Sequence, residues 1–265
     1  MTNMAVANES AMKQDQLETD GSAAVLAVNN LSKSFEGRKV LDGISLGVDR
    51  GETLAVLGRS GTGKSVLLRL IIGLVKPDSG SVCIHGQDIA GLSLDQLAEF
   101  RKKMGFLFQH AALYDSLTVG ENVAFPLDHH RREMARSEKL DRVRQLLAEV
   151  GMERDIDKMP SDISGGMQKR AGLARALVLE PEILLLDEPT AGLDPISSGE
   201  IDDLVLKLQR EHRMASIVVT HDLHSAKTIA NRLAILDKGN VVIEGSFEDL
   251  QQSSIEFVQQ FLKQA

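Results

Sequence analysis

Eight consecutive residues, Gly58-Arg59-Ser60-Gly61-Thr62-Gly63-Lys64-Ser65, fill every position of the pattern G-x-x-x-x-G-K-[ST]. Glycines at these points let successive backbone N–H groups turn inward as a cradle for an anion, and a helix starting at the end of the loop adds its own partial positive charge. The expected ligand is a nucleotide triphosphate: Lys64 reaches the β- and γ-phosphates and the Ser65 hydroxyl holds Mg²⁺. The flanks agree. Glu52–Leu57 reads as a buried strand and Val66–Ile72 as a buried helix.

A second piece of phosphate chemistry lies far along the chain. Ile183–Leu186 is a wholly apolar run that ends in Asp187-Glu188-Pro189. A parallel strand buried on both faces has this composition, and in open α/β sheets ligands sit beyond the carboxyl ends of the strands. Asp187 is therefore placed for the Mg²⁺ shell and Glu188 for polarising an attacking water. Taken alone, the pair would read as a solvated strand end. A third piece, Ser164-Gly165-Gly166, opens a helical segment and is again suited to bind an anion. One triphosphate needs one cradle. Two cradles in one chain imply that the second serves the nucleotide of another copy, in a head-to-tail dimer.

The elements that must position these groups can be read around them. Residues 1–24 are polar and acidic and read as a mobile tail. Val25–Phe35 and Val40–Val48 are β-like runs about the turn Glu36-Gly37-Arg38, and Ser81–His85 is a further strand after the turn Pro77–Gly80. Between about residues 95 and 165 the character becomes helical, with patterns at Leu94–Lys102 and Leu140–Val150. The βα alternation then resumes with strand Ile183–Asp187, helix Ile196–Arg210, strand Ser216–Thr220 and helix Leu223–Asn231. A hairpin follows at Asp237-Lys238-Gly239-Asn240, and the chain closes with a helix near Ile255–Leu262.

Composition excludes several classes. The 265 residues are 43% hydrophobic but only 3% aromatic, so the core is aliphatic. A net charge of −8 argues against nucleic acid as the main partner and against electrostatic adhesion to anionic lipid. Cys83 is the single cysteine, so no disulfide framework exists. No apolar run has the length of a membrane span, and the start lacks the pattern of a signal peptide, so the expected location is cytoplasmic. The adjacent pair His129-His130 makes a poor metal site and reads as solvated surface.

The motifs together resemble those of an ABC-transporter ATP-binding subunit, from about residue 25 to near the end. Gly58–Ser65 resembles the Walker A loop, Gln109 after Phe106-Leu107-Phe108 the Q-loop glutamine, and Ile163–Met167 the signature. Asp187 and Glu188 resemble Walker B and its catalytic glutamate, Gly192-Leu193-Asp194-Pro195 the D-loop, and His221 the H-loop histidine. The resemblance implies an α/β phosphate-loop NTPase fold with a RecA-like core, an antiparallel β subdomain and an inserted α-helical subdomain at about 95–165. The nucleotide-binding domain would cover 25–250, and a terminal helix 251–265. It implies ATP and Mg²⁺ as ligands, Gln109 as a sensor of the metal or water, His221 at the γ-phosphate, Asp194 linking two sites, and Phe35 against adenine. It also implies a second copy and a membrane permease as partners, with the chain peripheral on the inner face of the inner membrane.

Two departures narrow the group. Met167 stands where many members carry Gln, and Val66 where a second hydroxyl is common. With Leu113–Val119 and Glu121–Leu127, the Met form of the signature resembles the ATPases of MCE-type lipid transporters, the group that contains the Mla phospholipid system. Phospholipid is then the expected cargo and an MCE-type lipid-binding protein a partner through the complex; whether a small accessory subunit joins is left open. The competing readings are an ABC ATPase for an amino acid or other solute, and a non-transport ABC ATPase. The latter usually carries long coiled-coil insertions or tandem copies, which this chain lacks.

Overall fold

A computed structural model describes residues 24–264; residues 1–23, with nearly all of the expected tail, lie outside the described residues. Two sheets organise the fold. The first is antiparallel, ordered β2-β1-β4-β5, from strands β1 (Leu26–Phe35), β2 (Arg38–Val48), β4 (Ser79–Ile84) and β5 (Gln87–Asp88). The second has six strands in the order β10-β9-β3-β8-β7-β6, from β3 (Thr53–Leu57), β6 (Met104–Leu107), β7 (Ile183–Asp187), β8 (Ala215–Thr220), β9 (Arg232–Asp237) and β10 (Asn240–Gly245). All of its pairings are parallel except β10 on β9.

The parallel strands are short and apolar because both faces are covered: every residue of β3, β6, β7 and β8 is buried. Helices α1 (Lys64–Ile71) and α2 (Leu94–Lys102) share one cluster with the antiparallel sheet. Helices α3 (Val119–His130), α4 (Arg136–Glu149), α5 (Gly165–Leu177) and α6 (Pro195–His212) form a second cluster with Leu107, Leu184, Leu186 and Val218. The segments α7 (Leu223–Ile229), α8 (Phe247–Gln252) and α9 (Glu256–Gln264) form a third around Leu57 and Ile235.

Several boundaries move from the expected ones. The helical stretch expected from about residue 95 opens with α2 and is then interrupted by β6, which pairs in register with β7, before helices α3 to α5 resume it. Four buried residues are enough for this strand at the edge of the sheet, and so short a run carries no period. Helix α3 was not expected. It begins at Thr118, whose hydroxyl accepts from Glu121 N while the Glu121 side chain accepts from Thr118 N, and it carries Pro126 inside it. The first turn closes at Glu36-Gly37, with Arg38 already in β2. Helix α7 stops at Ile229, because Asn231 leaves the helix to bond β3, its side chain accepting from Thr53 N at 2.8 Å.

Candidate functional site

Strand register brings the separated motifs to one edge. Leu107 pairs with Leu186, Leu186 with Val218, Asp187 with Val219, and Thr220 with Leu57. The residues that follow these strand ends are Gln109, Glu188, His221 and Gly58. The carboxyl edge of the parallel sheet therefore gathers four motifs that lie as much as 163 positions apart in the chain, His221 less Gly58.

The loop after β3 is fitted closely to its surroundings. A Cβ on Gly58 would lie 2.6 Å from the Leu236 carbonyl oxygen. Gly63 has φ +102°, and a Cβ there would meet Leu41 Cδ2 at 2.7 Å, so β2 packs directly on the loop. Gly58, Gly63 and Lys64 are buried, whereas Arg59, Ser60 and Gly61 are exposed. Lys64 Nζ donates to the carbonyls of Gly58 (2.8 Å) and Arg59 (3.2 Å) and lies 3.5 Å from Glu188 Oε1. Ser65 Oγ donates to Asp187 Oδ1 at 2.9 Å.

Glu188 is the hub. Its second carboxylate oxygen faces His221 Nδ1 at 2.9 Å and accepts from Thr220 Oγ1 at 3.3 Å. Its backbone sits at φ +48°, a left-handed conformation that a non-glycine residue holds only where its surroundings enforce it. The Glu188 amide donates to the Val219 carbonyl at 2.9 Å. Burial raises Asp187 above the usual aspartate value, opposed chiefly by the Ser65 hydrogen bond, and a cation beside it would favour the ionised form.

Residues that sequence reasoning passed over complete the site. Lys169 is 4% exposed and donates to the carbonyls of Gln109 (2.5 Å) and Glu188 (2.9 Å). Burial lowers its pKa to about 8, against the pull of the Asp187 and Glu188 charges. Arg175 donates to Ala111 and Ala112, whose φ values of +56° and +49° are also left-handed. Asn122, fully buried, receives Tyr114 N and donates to the carbonyls of Tyr114, Leu117 and Thr118. Lys169, Gly172 and Leu173 recur at helical spacing among buried residues of α5, a signal that marks Lys169 as inward-facing.

Other expected residues lie elsewhere. Ser164 caps α5, accepting from Met167 N at 3.3 Å, and is exposed with Gly165. Gly165 and Gly166 face Leu193 and Ser197, which lie on either side of Asp194 in the chain. Asp194 caps α6, accepting from Ile196 N and Ser197 N at 3.0 Å each and from Ser197 Oγ at 2.6 Å; these bonds hold its carboxyl below the usual range. Phe35 is 43% exposed, which removes a core-packing role, and Lys33 Nζ lies 5.4 Å from its ring centroid. It pairs with Arg38 in the hairpin whose Val40 and Leu41 border Gly63.

The residues fit a magnesium–nucleotide ligand. A hydroxyl and a carboxylate oxygen, already 2.9 Å apart, are the donors a hard cation takes, and the buried lysine beside them supplies a charge for phosphate. Fold and site together define a phosphate-loop ATPase cassette that uses ATP and Mg²⁺. The chain belongs to the ABC transporter family, whose profile matches residues 41–191.

Its relatives and structural neighbours are consistent with this. The chain is 42% identical to the probable ribonucleotide transport ATP-binding protein mkl of Mycobacterium tuberculosis over 89% of its length, spanning 66% of that relative. It is 40% identical to the methionine import ATP-binding protein MetN of Rhizobium johnstonii over 87% of its length and 63% of the relative's. A solved dimeric ATP-binding cassette in a post-hydrolysis state, bound to ADP and Pi, matches 83% of this chain and 98% of its own at 35% identity and a TM-score of 0.77.

Proposed function

We propose that this chain is the ATP-hydrolysing subunit of a membrane ABC transporter that moves phospholipid. The observation that carries the ATPase part is the Lys64–Glu188–His221 cluster, with Ser65 hydrogen-bonded to Asp187, at one sheet edge. ATP lies along Gly58–Ser65, its phosphates on the loop amides and Lys64. Ser65 and Asp187 hold Mg²⁺, assisted by Gln109; the metal, when bound, neutralises charge on the phosphate oxygens. Glu188 accepts a proton from, or orients, the attacking water, and His221 contacts the γ-phosphate while steadying Glu188. Phe35 lies against adenine.

Ser164–Gly166 and Asp194 serve the nucleotide of a second copy. The exposure of Ser164, Gly165 and Asp194, and the facing of Gly165 and Gly166 to Leu193 and Ser197 beside Asp194, support this, as does the dimeric state of the solved cassettes. Among the described residues no helix is long and apolar enough to cross a membrane; the membrane partner in this reading is a permease. Tyr114, 47% exposed, stacks through Phe125 onto His129 and offers that permease a surface connected to Gln109. The chain then works as a peripheral subunit on the inner face of the inner membrane.

The phospholipid cargo is supported by Leu113–Val119, Glu121–Leu127 and Met167. The relatives carry two different cargo names, ribonucleotide and methionine, at nearly equal identity, as expected when the chemistry of such a chain acts on ATP and not on cargo. The methionine relatives favour an amino acid as the second reading. Native purification of the tagged chain with its membrane partners, followed by mass spectrometry of copurifying lipid and ATP-driven uptake of labelled phospholipid, ribonucleotide and methionine in vesicles, tests the assignment. Phospholipid transfer that stops without ATP supports it; transport of methionine or ribonucleotide alone overturns the cargo.

A further inference from the structure

Helix α5 grips the loop after β6 at two levels. Lys169 holds the Gln109 carbonyl, and six residues further along the helix Arg175 holds those of Ala111 and Ala112. Between them Gly172 packs so tightly that a Cβ would lie 2.7 Å from Leu107 Cδ1 and 3.3 Å from Ala111 Cβ. Lys169 differs from Arg175 in also reaching across to β7. Its Nζ donates at 2.9 Å to the carbonyl of Glu188, the residue whose backbone is left-handed and whose carboxylate meets Lys64 and His221.

We propose that Lys169 is a positioning residue for ATP hydrolysis, whose ammonium fixes the Glu188 and Gln109 backbones against each other and so aims the Glu188 carboxylate. This rests on Glu188 being the group that handles the attacking water. Three features support a role beyond packing. A buried cation loses hydration, and an aliphatic side chain would fill the space without that loss. The two acceptors belong to two different motifs of the site, not to one element. Lys169 also lies on the helix that Ser164 caps, so displacement of that helix by a second copy would be felt at Glu188 through a single side chain.

Lys169→Met keeps the length and removes both donated bonds. In the full chain with Mg-ATP, the expected result is a fall in kcat of about 30–100-fold, with KM for ATP and the affinity for a fluorescent ATP analogue within about threefold of wild type. Lys169→Arg restores charge and donors and is expected to recover most of kcat. Introduced beside Glu188→Gln, Lys169→Met should lower the residual rate no further, because the group it aims is already gone. Should Lys169→Met fail to fold, Lys169→Ala, which admits water to both carbonyls, is measured with the same expectation.

Wild-type kcat in a folded Lys169→Met or Lys169→Ala protein overturns the inference. So does a loss that falls on KM as much as on kcat, or a Lys169→Arg protein as slow as the methionine variant. Wild-type turnover by Glu188→Gln alone is a different failure, since it removes the Glu188 assignment itself. An inactive Glu188→Gln protein beside a fully active Lys169→Met protein removes only the role of Lys169.

Discussion

Glu188→Gln separates binding from chemistry, and its consequences can be worked out from the contacts. The carboxylate meets Lys64 through one oxygen at 3.5 Å, and through the other meets His221 at 2.9 Å and Thr220 Oγ1 at 3.3 Å. A glutamine of the same shape turns its carbonyl oxygen to Lys64 and its NH₂ to His221, with the Thr220 hydroxyl rotating to accept. The buried Thr220 hydroxyl then loses its acceptor, so the cost is that lost hydrogen bond together with the weakened contact with a buried ammonium, about 1–3 kcal/mol, or several degrees in melting temperature. The reaction loses far more, because a positioned general base contributes about 10²–10⁴ in rate, or about 3–5 kcal/mol of barrier. Phosphate release should therefore fall by at least about a hundredfold while the affinity for Mg-ATP stays close to wild type. The ATP-bound protein should accumulate as a dimer, visible by light scattering after size exclusion. Turnover within about threefold of wild type would show that water is activated elsewhere. Affinity lost in step with rate would make Glu188 a binding group.

Lys64→Ala removes the cation of the phosphate cradle; hydrolysis should fall about 10²–10³-fold with nucleotide affinity reduced, and wild-type turnover in a clean preparation would place the site elsewhere. Asp187→Asn should raise the melting temperature of the nucleotide-free chain while weakening Mg-ATP binding. The sign follows from burial: with a folded pKa above the usual 3.8, the carboxyl's contribution to stability is complete below that value and lost as pH rises through the raised one, so its charge at neutral pH costs the empty fold. A lower melting temperature for the asparagine variant, measured without metal, would contradict this. Tyr114→Asp should leave the chain folded and able to bind ATP, because the ring is 47% exposed, yet impair assembly with the permease or uncouple hydrolysis from transport; unfolding would make the segment core, and unchanged phospholipid transport would place the docking site elsewhere.

What could be read from the sequence was what local chemistry writes down. Gly58–Ser65 needs a strand before it and a helix after it, and the run Ile183–Asp187 announces an inner strand by apolarity alone. Helix α3 escaped because Pro126 breaks the pattern, although the box Thr118–Glu121 was a usable start signal. Strand β6 is too short to carry a period, so it went unseen inside the helical stretch expected between about residues 95 and 165. Lys169, Arg175 and Asn122 read as ordinary polar residues because nothing local distinguishes a solvated cation or amide from one aimed at a backbone carbonyl. Only the packing of α5 on the loop after β6, and of α3 against residues 114–118, buries them. The left-handed backbone of Glu188 is equally silent in sequence, since glutamate is not a residue that marks such a conformation.

In the proposed dimer the two anion cradles, one at Gly58–Ser65 and one at Ser164–Gly166, belong to one nucleotide held between two copies. Lys64→Ala disables the first cradle and Ser164→Arg the second, and each alone should be inactive. Mixed in equal amounts, the two variants form heterodimers in which one interface pairs an intact Lys64 with an intact Ser164, while the other carries both lesions. Random pairing about a two-fold axis makes about a quarter of all sites complete. Phosphate release from the mixture should therefore recover to about a quarter of the wild-type rate from near zero in either variant alone. Full activity of Ser164→Arg by itself, or no recovery on mixing two variants that each still fold, would contradict it.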